Sequence, residues 1–197
     1  RMAHRHPLKY VLMACVLRST SSLAQQAVPD GYQRIARAHG VPAEALYSIA
    51  LAESARRLPM GERPWPWTIN VAGKGYRYHT RLEAWQALQT FIKQHPLKRI
   101  DIGIGQINLG WHGHRFKSDW EAIEPYTNLN TAAAILRECY DQRPGSWLDA
   151  AGCYHHPAGG MPARRYKDIV NRQLNALRGS ELASAGYIWD EPGSKDD

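Results

Sequence analysis

Residues 42–57, Pro42-Ala-Glu-Ala-Leu46-Tyr-Ser-Ile49-Ala50-Leu-Ala-Glu53-Ser54-Ala-Arg56-Arg57, decide both the fold class and the chemistry. Pro42 opens a helix that the pattern extends to about Arg57. Leu46, Ile49, Ala50 and Glu53 recur at helical spacing, so they share one face. A carboxyl set among apolar side chains is costly to ionise and tends to keep its proton, which is the property of a general acid. The plainer reading is a Glu at the edge of that face, reaching water or pairing with Arg56 or Arg57.

Working outward, the pattern predicts more helices. Asp30 caps one that runs to about Ala38 and stops at Gly40. Downstream, residues 58–75 are rich in Pro, Gly and Trp. Thr68-Ile-Asn-Val71, Ala-Gly-Lys-Gly and Tyr76-Arg-Tyr-His79 read as a small hairpin. Thr80-Arg-Leu-Glu83 is a capping box, and Leu82, Trp85, Leu88, Gln89 and Ile92 carry the helix after it as far as Pro96. Ile100, Ile102 and Ile104 alternate into Gly105-Gln-Ile-Asn108, an extended or looped stretch, and Trp111 and Trp120 fall in a polar loop. Three further helices are expected: from after Asn128 to about Tyr140, from Trp147 to Tyr154 behind Ser146, and from Ala163 to about Leu177. The sum is a mainly α (α+β) fold, a single helical domain over residues 25–178 with a small β-hairpin insertion at about 58–99. Sandwiches and parallel-sheet folds are excluded. Residues 179–197 are polar and small and read as a loosely held tail.

The 197 residues suit one domain, and their formal charge of +7 invites a nucleic-acid reading. Position argues against it. Arg1, Arg5, Lys9 and Arg18 lie in residues 1–24, which hold no acid, so their removal lowers the charge to +3. That leader joins a basic start, the short apolar run 10–17 and a small-residue stretch ending at Ala24, the layout of a secretory signal. The expectation is an exported, periplasmic protein with no stable membrane insertion. Cys15 as a lipoprotein site is disfavoured, because few apolar residues separate it from Lys9. Cys139 and Cys153 remain after the leader, and an even pair in an exported chain points to a disulfide, with two buried free thiols as the alternative.

Glu53-Ser54, then Gly103-Ile-Gly-Gln106-Ile-Asn108, then Ala151-Gly-Cys-Tyr154, then Tyr166 occur in an order that resembles the lysozyme-like lytic transglycosylases of the soluble-lytic type. The likeness is to small exported members associated with conjugation, pilus and secretion machines, and it spans about Ala43 to Tyr166. In that family Glu-Ser ends a helix, and a Gly-x-x-Gln stretch followed by an apolar residue and often Asn comes second. The third motif is usually Ala-x-Tyr-Asn-x-Gly. Here Tyr154 is followed by His155-His156-Pro157, so the Asn is replaced and His155 takes its place as a hydrogen-bonding group.

The resemblance implies cleavage of the bond between N-acetylmuramic acid and N-acetylglucosamine in peptidoglycan, with Glu53 as acid and then base and a 1,6-anhydro product. Two carboxylates normally share glycoside cleavage. Asp101 is the one nearby candidate in a motif, and it precedes the Gly-Ile-Gly segment rather than standing on an expected cleft strand; a transglycosylase accounts for a single acid. By the same resemblance Ser54 orients Glu53 or holds an N-acetyl group. Gln106 and Asn108 contact the glycan, and Tyr154 and Tyr166 flank the acid. Trp65, Trp67 and Trp111 are candidates for sugar subsites or for packing. The implied partners are glycan strands and an envelope-spanning apparatus, with no nucleic acid, no cofactor and a monomeric protein. Rivals are a muramidase that uses water and an inactive wall-binding scaffold.

Other motifs add little. His112-Gly-His114 and His155-His156 lack a His-Glu-x-x-His or thiolate context, so no metal is expected. Gly103-x-Gly105 lacks the third glycine of a nucleotide fingerprint, and no Gly-x-Ser-x-Gly occurs.

Overall fold

The computed structural model describes residues 28–59 and 61–178. The leader, Cys15 and the tail therefore lie outside the described residues. Helix α1 is Asp30–His39, and Gly40 ends it in the left-handed region at φ 63°. The expected cap is displaced by one residue. Pro29 takes the capping position, and Asp30 sits in the first turn, where its charge meets the helix dipole.

Helix α2, Ala43–Ser54, stops three residues short of the expected Arg57. Ala55 leaves the helix with ψ 136°, and Ala55–Leu58 (β1) pairs antiparallel with Gly61–Pro64 (β2). Nothing in the local pattern marks this hairpin. Its strands gain their pairing from each other, and Arg56 lies over the ring of Trp65 at 4.5 Å instead of continuing the helix.

The second hairpin lies in the expected region, Thr68–Val71 (β3) and Lys74–Arg77 (β4), with a shorter turn, so its second strand comes two residues before the expected 76–79. Ala72 and Gly73 turn it with φ 52° and 87°, the two positive values that suit the twist of a tight hairpin. Helix α3, Arg81–Gln94, is capped as its sequence requires. Thr80 accepts from the Glu83 amide, while the Glu83 carboxylate reaches back to the His79 amide. Ile100–Ile102 (β5) and Ile107–Asn108 (β6) complete an antiparallel sheet in the order β4-β3-β5-β6. Because β3 is bonded to β5, part of the expected insertion at about 58–99 shares its sheet with Ile100–Ile102.

The stretch around Trp111 and Trp120 is more regular than a polar loop. It folds into α4 (Leu109–His112), a 3-10 turn, and α5 (Asp119–Ile123), the last capped by Ser118. Helix α6, Pro125–Gln142, begins before Asn128 because the Glu124 carboxylate accepts from the Tyr126 and Thr127 amides. Ser146 caps α7, Trp147–His155, as expected. Helix α8, Gly160–Arg178, starts three residues early. Among the described residues none of these helices is long and apolar enough to cross a membrane.

Two cores result. The larger lies around α2, whose Leu46, Ile49 and Ala50 are each 1% exposed, and is closed by α1, α6, α7 and α8. The smaller joins Ile69, Val71, Ile100 and Ile102 of the sheet to Ala84 and Leu88 of α3 and Ile123 of α5. A disulfide between Cys139 and Cys153, with Cα atoms 5.8 Å apart, ties α6 to α7 one residue before Tyr154. Replacing both cysteines by Ser should cost about 3 kcal/mol and lower Tm by roughly 10 °C, as measured by thermal unfolding of the non-reduced protein.

Candidate active site

The last turn of α2 carries the candidate acid. Its apolar residues fill the larger core, and the same face ends at Glu53, whose side chain is 13% exposed. The pairing with Arg56 is absent, since that guanidinium lies over Trp65. Glu53 instead faces α7 and α8. His155 Nδ1 stands 3.5 Å from Glu53 Oε1, and the imidazole lies flat on the Tyr166 ring, 4.3 Å between centroids and 4° between planes.

Tyr166 is 4% exposed and its hydroxyl is buried with no hydrogen-bond partner. The Glu53 carboxyl is nonetheless close enough to act on it. Burial, and then the charge of Glu53, hold the Tyr166 phenol well above its ordinary range. The polar group that acts on this hydroxyl is the Glu53 carboxyl. Tyr154 has a different part. Its hydroxyl donates to the Gly105 carbonyl at 2.6 Å, which makes it a strut between α7 and the turn at 103–106.

That turn is built by residues the motif contains and by one it does not. Gly103 has φ 78° and Gln106 φ 51°. A Cβ on Gly103 would collide with the Asn128 side chain, and one on Gly105 would meet Ala132 and Tyr154. Asn128, fully buried, accepts from the Gly105 amide at 2.7 Å and donates to the Ile102 and Ala122 carbonyls at 3.0 Å each. All its capacity toward that loop is used. No pattern singles it out, because one polar residue in a helix start looks like any other.

Three residues expected to contact the glycan are engaged within the fold. Ser54 is 0% exposed and cannot touch a sugar; its hydroxyl bonds the Ala50 and Ile104 carbonyls and so pins the end of α2 to the turn. The Gln106 amide group donates to the Thr68 and Gly103 carbonyls, the turn-holding use that a loop glutamine often has. Asn108 caps α4 by accepting from the Trp111 amide, and it donates to Lys98 O and to Asp101 Oδ1 at 2.9 Å. Each is spent on backbone groups that would otherwise be unpaired.

Asp101 is the residue that the sequence placed wrongly. Ile100 and Ile102 face the small core, so alternation turns Asp101 to the other side of β5, in one cross-sheet row with Asn70 and Asn108. From there its charge reaches Glu53, His155 and Tyr154. Burial raises its pKa; the Asn108 hydrogen bond opposes this, the Glu53 charge adds to it and His155 opposes it. The signal is the alternation of Ile100, Ile102 and Ile104, which in an extended stretch sets Asp101 on the face opposite the isoleucines. Glu53 thus has a histidine and a buried phenol beside it, and the charge of Asp101 acts on it from β5.

Trp65 and Trp67 serve packing rather than an open platform. Trp65 is part-buried and donates its ring N–H to the Tyr78 carbonyl, and Trp67 packs on the small core. Trp111 is 63% exposed, with Lys98 Nζ 4.3 Å from its ring centroid. Among the described residues no cluster of His, Cys, Asp and Glu is arranged to hold a metal.

Asn128→Ala should lose about 3 kcal/mol in denaturant unfolding, because the Gly105 amide and two carbonyls lose their partner. Asp101→Asn should act in the opposite direction. The raised pKa means the ionised form costs stability above that pKa, so the amide should unfold at higher temperature near pH 7, with the gain vanishing as the pH falls below about 4. Comparison of the chain with protein-family models, with curated proteins and with solved structures found no match.

Proposed function

We propose that the protein is a peptidoglycan lytic transglycosylase in which Glu53 acts first as acid and then as base. The observation that carries this reading is a carboxyl only 13% exposed, at the end of a buried helix, facing an unpartnered buried hydroxyl on Tyr166. Cleaving a glycosidic bond needs a proton delivered away from bulk water and an environment that tolerates a cationic ring. Glu53 provides the first. The negative charge of Asp101 and the oxygen of Tyr166 favour the second.

In the first half of the reaction Glu53 gives its proton to the oxygen joining N-acetylmuramic acid to N-acetylglucosamine, and the bond electrons leave with that oxygen. In the second half the carboxylate takes the proton of the muramic 6-hydroxyl as that oxygen bonds to the anomeric carbon. The product is 1,6-anhydro-N-acetylmuramic acid, and no water is consumed. The motif order that resembles lytic transglycosylases supports this route. The same resemblance supports local wall opening for a conjugation, pilus or secretion apparatus, and the disulfide supports an exported protein.

A second reading has its own support. Hydrolases use a second carboxyl, and the charges of Asp101 and Glu53 act on each other, so a muramidase that adds water is the alternative. Mass spectrometry of digested wall separates the two: anhydro ends are expected, and reducing ends would replace the transglycosylase by the hydrolase. Glu53→Gln should lower wall lysis by at least about 100-fold while leaving thermal unfolding intact. Wild-type protein that binds wall but releases no fragments would leave only the scaffold.

A further inference from the structure

We propose that His155 is the proton partner of Glu53, so that the working acid is a coupled imidazole–carboxyl pair holding one proton between them. This rests on Glu53 being the acid, and it goes beyond a hydrogen bond from His155 to the sugar. Three geometric observations carry it. His155 Nδ1 faces Glu53 Oε1 at 3.5 Å, a distance that needs to shorten only by about half an ångström to become a short hydrogen bond, as contacts in empty active sites do when substrate enters. The imidazole cannot turn freely, since it lies parallel on the Tyr166 ring at 4.3 Å. The two partners also differ in access to water. The His155 side chain is 42% exposed and the Glu53 side chain 13%, so the imidazole can exchange protons with solvent while the carboxyl is screened from it.

The charges around the imidazole agree. Glu53 on α2 and Asp101 on β5 both favour its protonated form, with Glu53 the larger influence; partial burial opposes them. Tyr166 on α8 stacks on it, and the Tyr154 phenol precedes it on α7, both held uncharged by burial. His155 therefore keeps its proton to higher pH than an ordinary histidine. In water-exposed form the raised pKa of His155 favours the proton of the pair on the imidazole. When a glycan covers the site and excludes water, separated charges lose their hydration and the neutral pair is favoured.

The step balances without another reactant. The Nδ1–H proton moves to a Glu53 oxygen, leaving its electron pair on the imidazole nitrogen, and the carboxylic acid then protonates the glycosidic oxygen. As Glu53 later takes the 6-hydroxyl proton, that proton restores the pair. His155 acts through Glu53 and is a positioning and proton-holding residue. Its consequence is a working range that extends to higher pH than a lone carboxyl would allow, because the last proton of the pair is lost at the raised histidine pKa.

His155→Asn, which restores the amide found in the family that the motifs resemble, is the test. Wall-cleavage rate is measured from about pH 5 to 8, and unfolding is followed at about pH 5 as a folding control. The variant should cleave at the acid end but lose at least about tenfold relative to wild type toward pH 8, moving the alkaline limb down by one unit or more. A uniform loss at every pH, or an unchanged profile, would overturn the proposal. NMR titration of the His155 imidazole gives a readout independent of cleavage. It should titrate above its ordinary value in wild type and fall back in Glu53→Gln. An ordinary value in wild type would sink the pairing whatever the digest shows, whereas a raised, Glu53-dependent value in a protein that cleaves nothing would retain the pairing and remove the transglycosylase.

Discussion

Four residues of backbone, the turn at 103–106, are gripped from three directions, and the rest of the site depends on that grip. Ser54 at the end of α2 bonds the Ile104 carbonyl, Asn128 of α6 bonds the Gly105 amide, and Tyr154 of α7 bonds the Gly105 carbonyl. The turn follows directly on β5. One short loop thus ties the helical core to the sheet, and the charge of Glu53 at the end of α2 is felt at Asp101 on β5. Neither glycine in the loop can carry a side chain there, because Asn128, Ala132 and Tyr154 occupy the space.

The division of labour in the site follows from burial. Residues that can satisfy backbone groups do so: Ser54, Gln106, Asn108 and Asn128 hold the frame. Several groups near the acid have unspent or opposed electrostatics. Tyr166 has no partner, Asp101 is held above its ordinary pKa by burial, and His155 is held above its own mainly by Glu53. On the proposed reading these are the groups that the chemistry uses. The disulfide contributes at one remove, fixing α7 next to the residues that meet Glu53.

Periodicity made most of the helices legible, since an amphipathic stripe or a capping residue acts within a few residues of itself. Thr80 with Glu83, Ser146 and Gly40 all do in the fold what their positions require. The errors arose where a distant partner decides. Helix α2 ends early because β1 finds β2, and α6 begins early because a Glu rather than an Asn supplies its cap. Asp101 takes its place on a strand because Ile100–Ile102 pairs with β3 and β6 on either side.

Taken alone, the order of residues determined a mainly helical chain, the place of the hairpin at 68–77, the pairable cysteines, and an acid at the end of an apolar helix face. Those are consequences of local spacing and side-chain chemistry. Only the tertiary structure decided what stands opposite that acid. Residues 53, 101, 155 and 166 come together because two cores pack around one clamped turn, and contact between distant segments leaves no periodic trace in the chain.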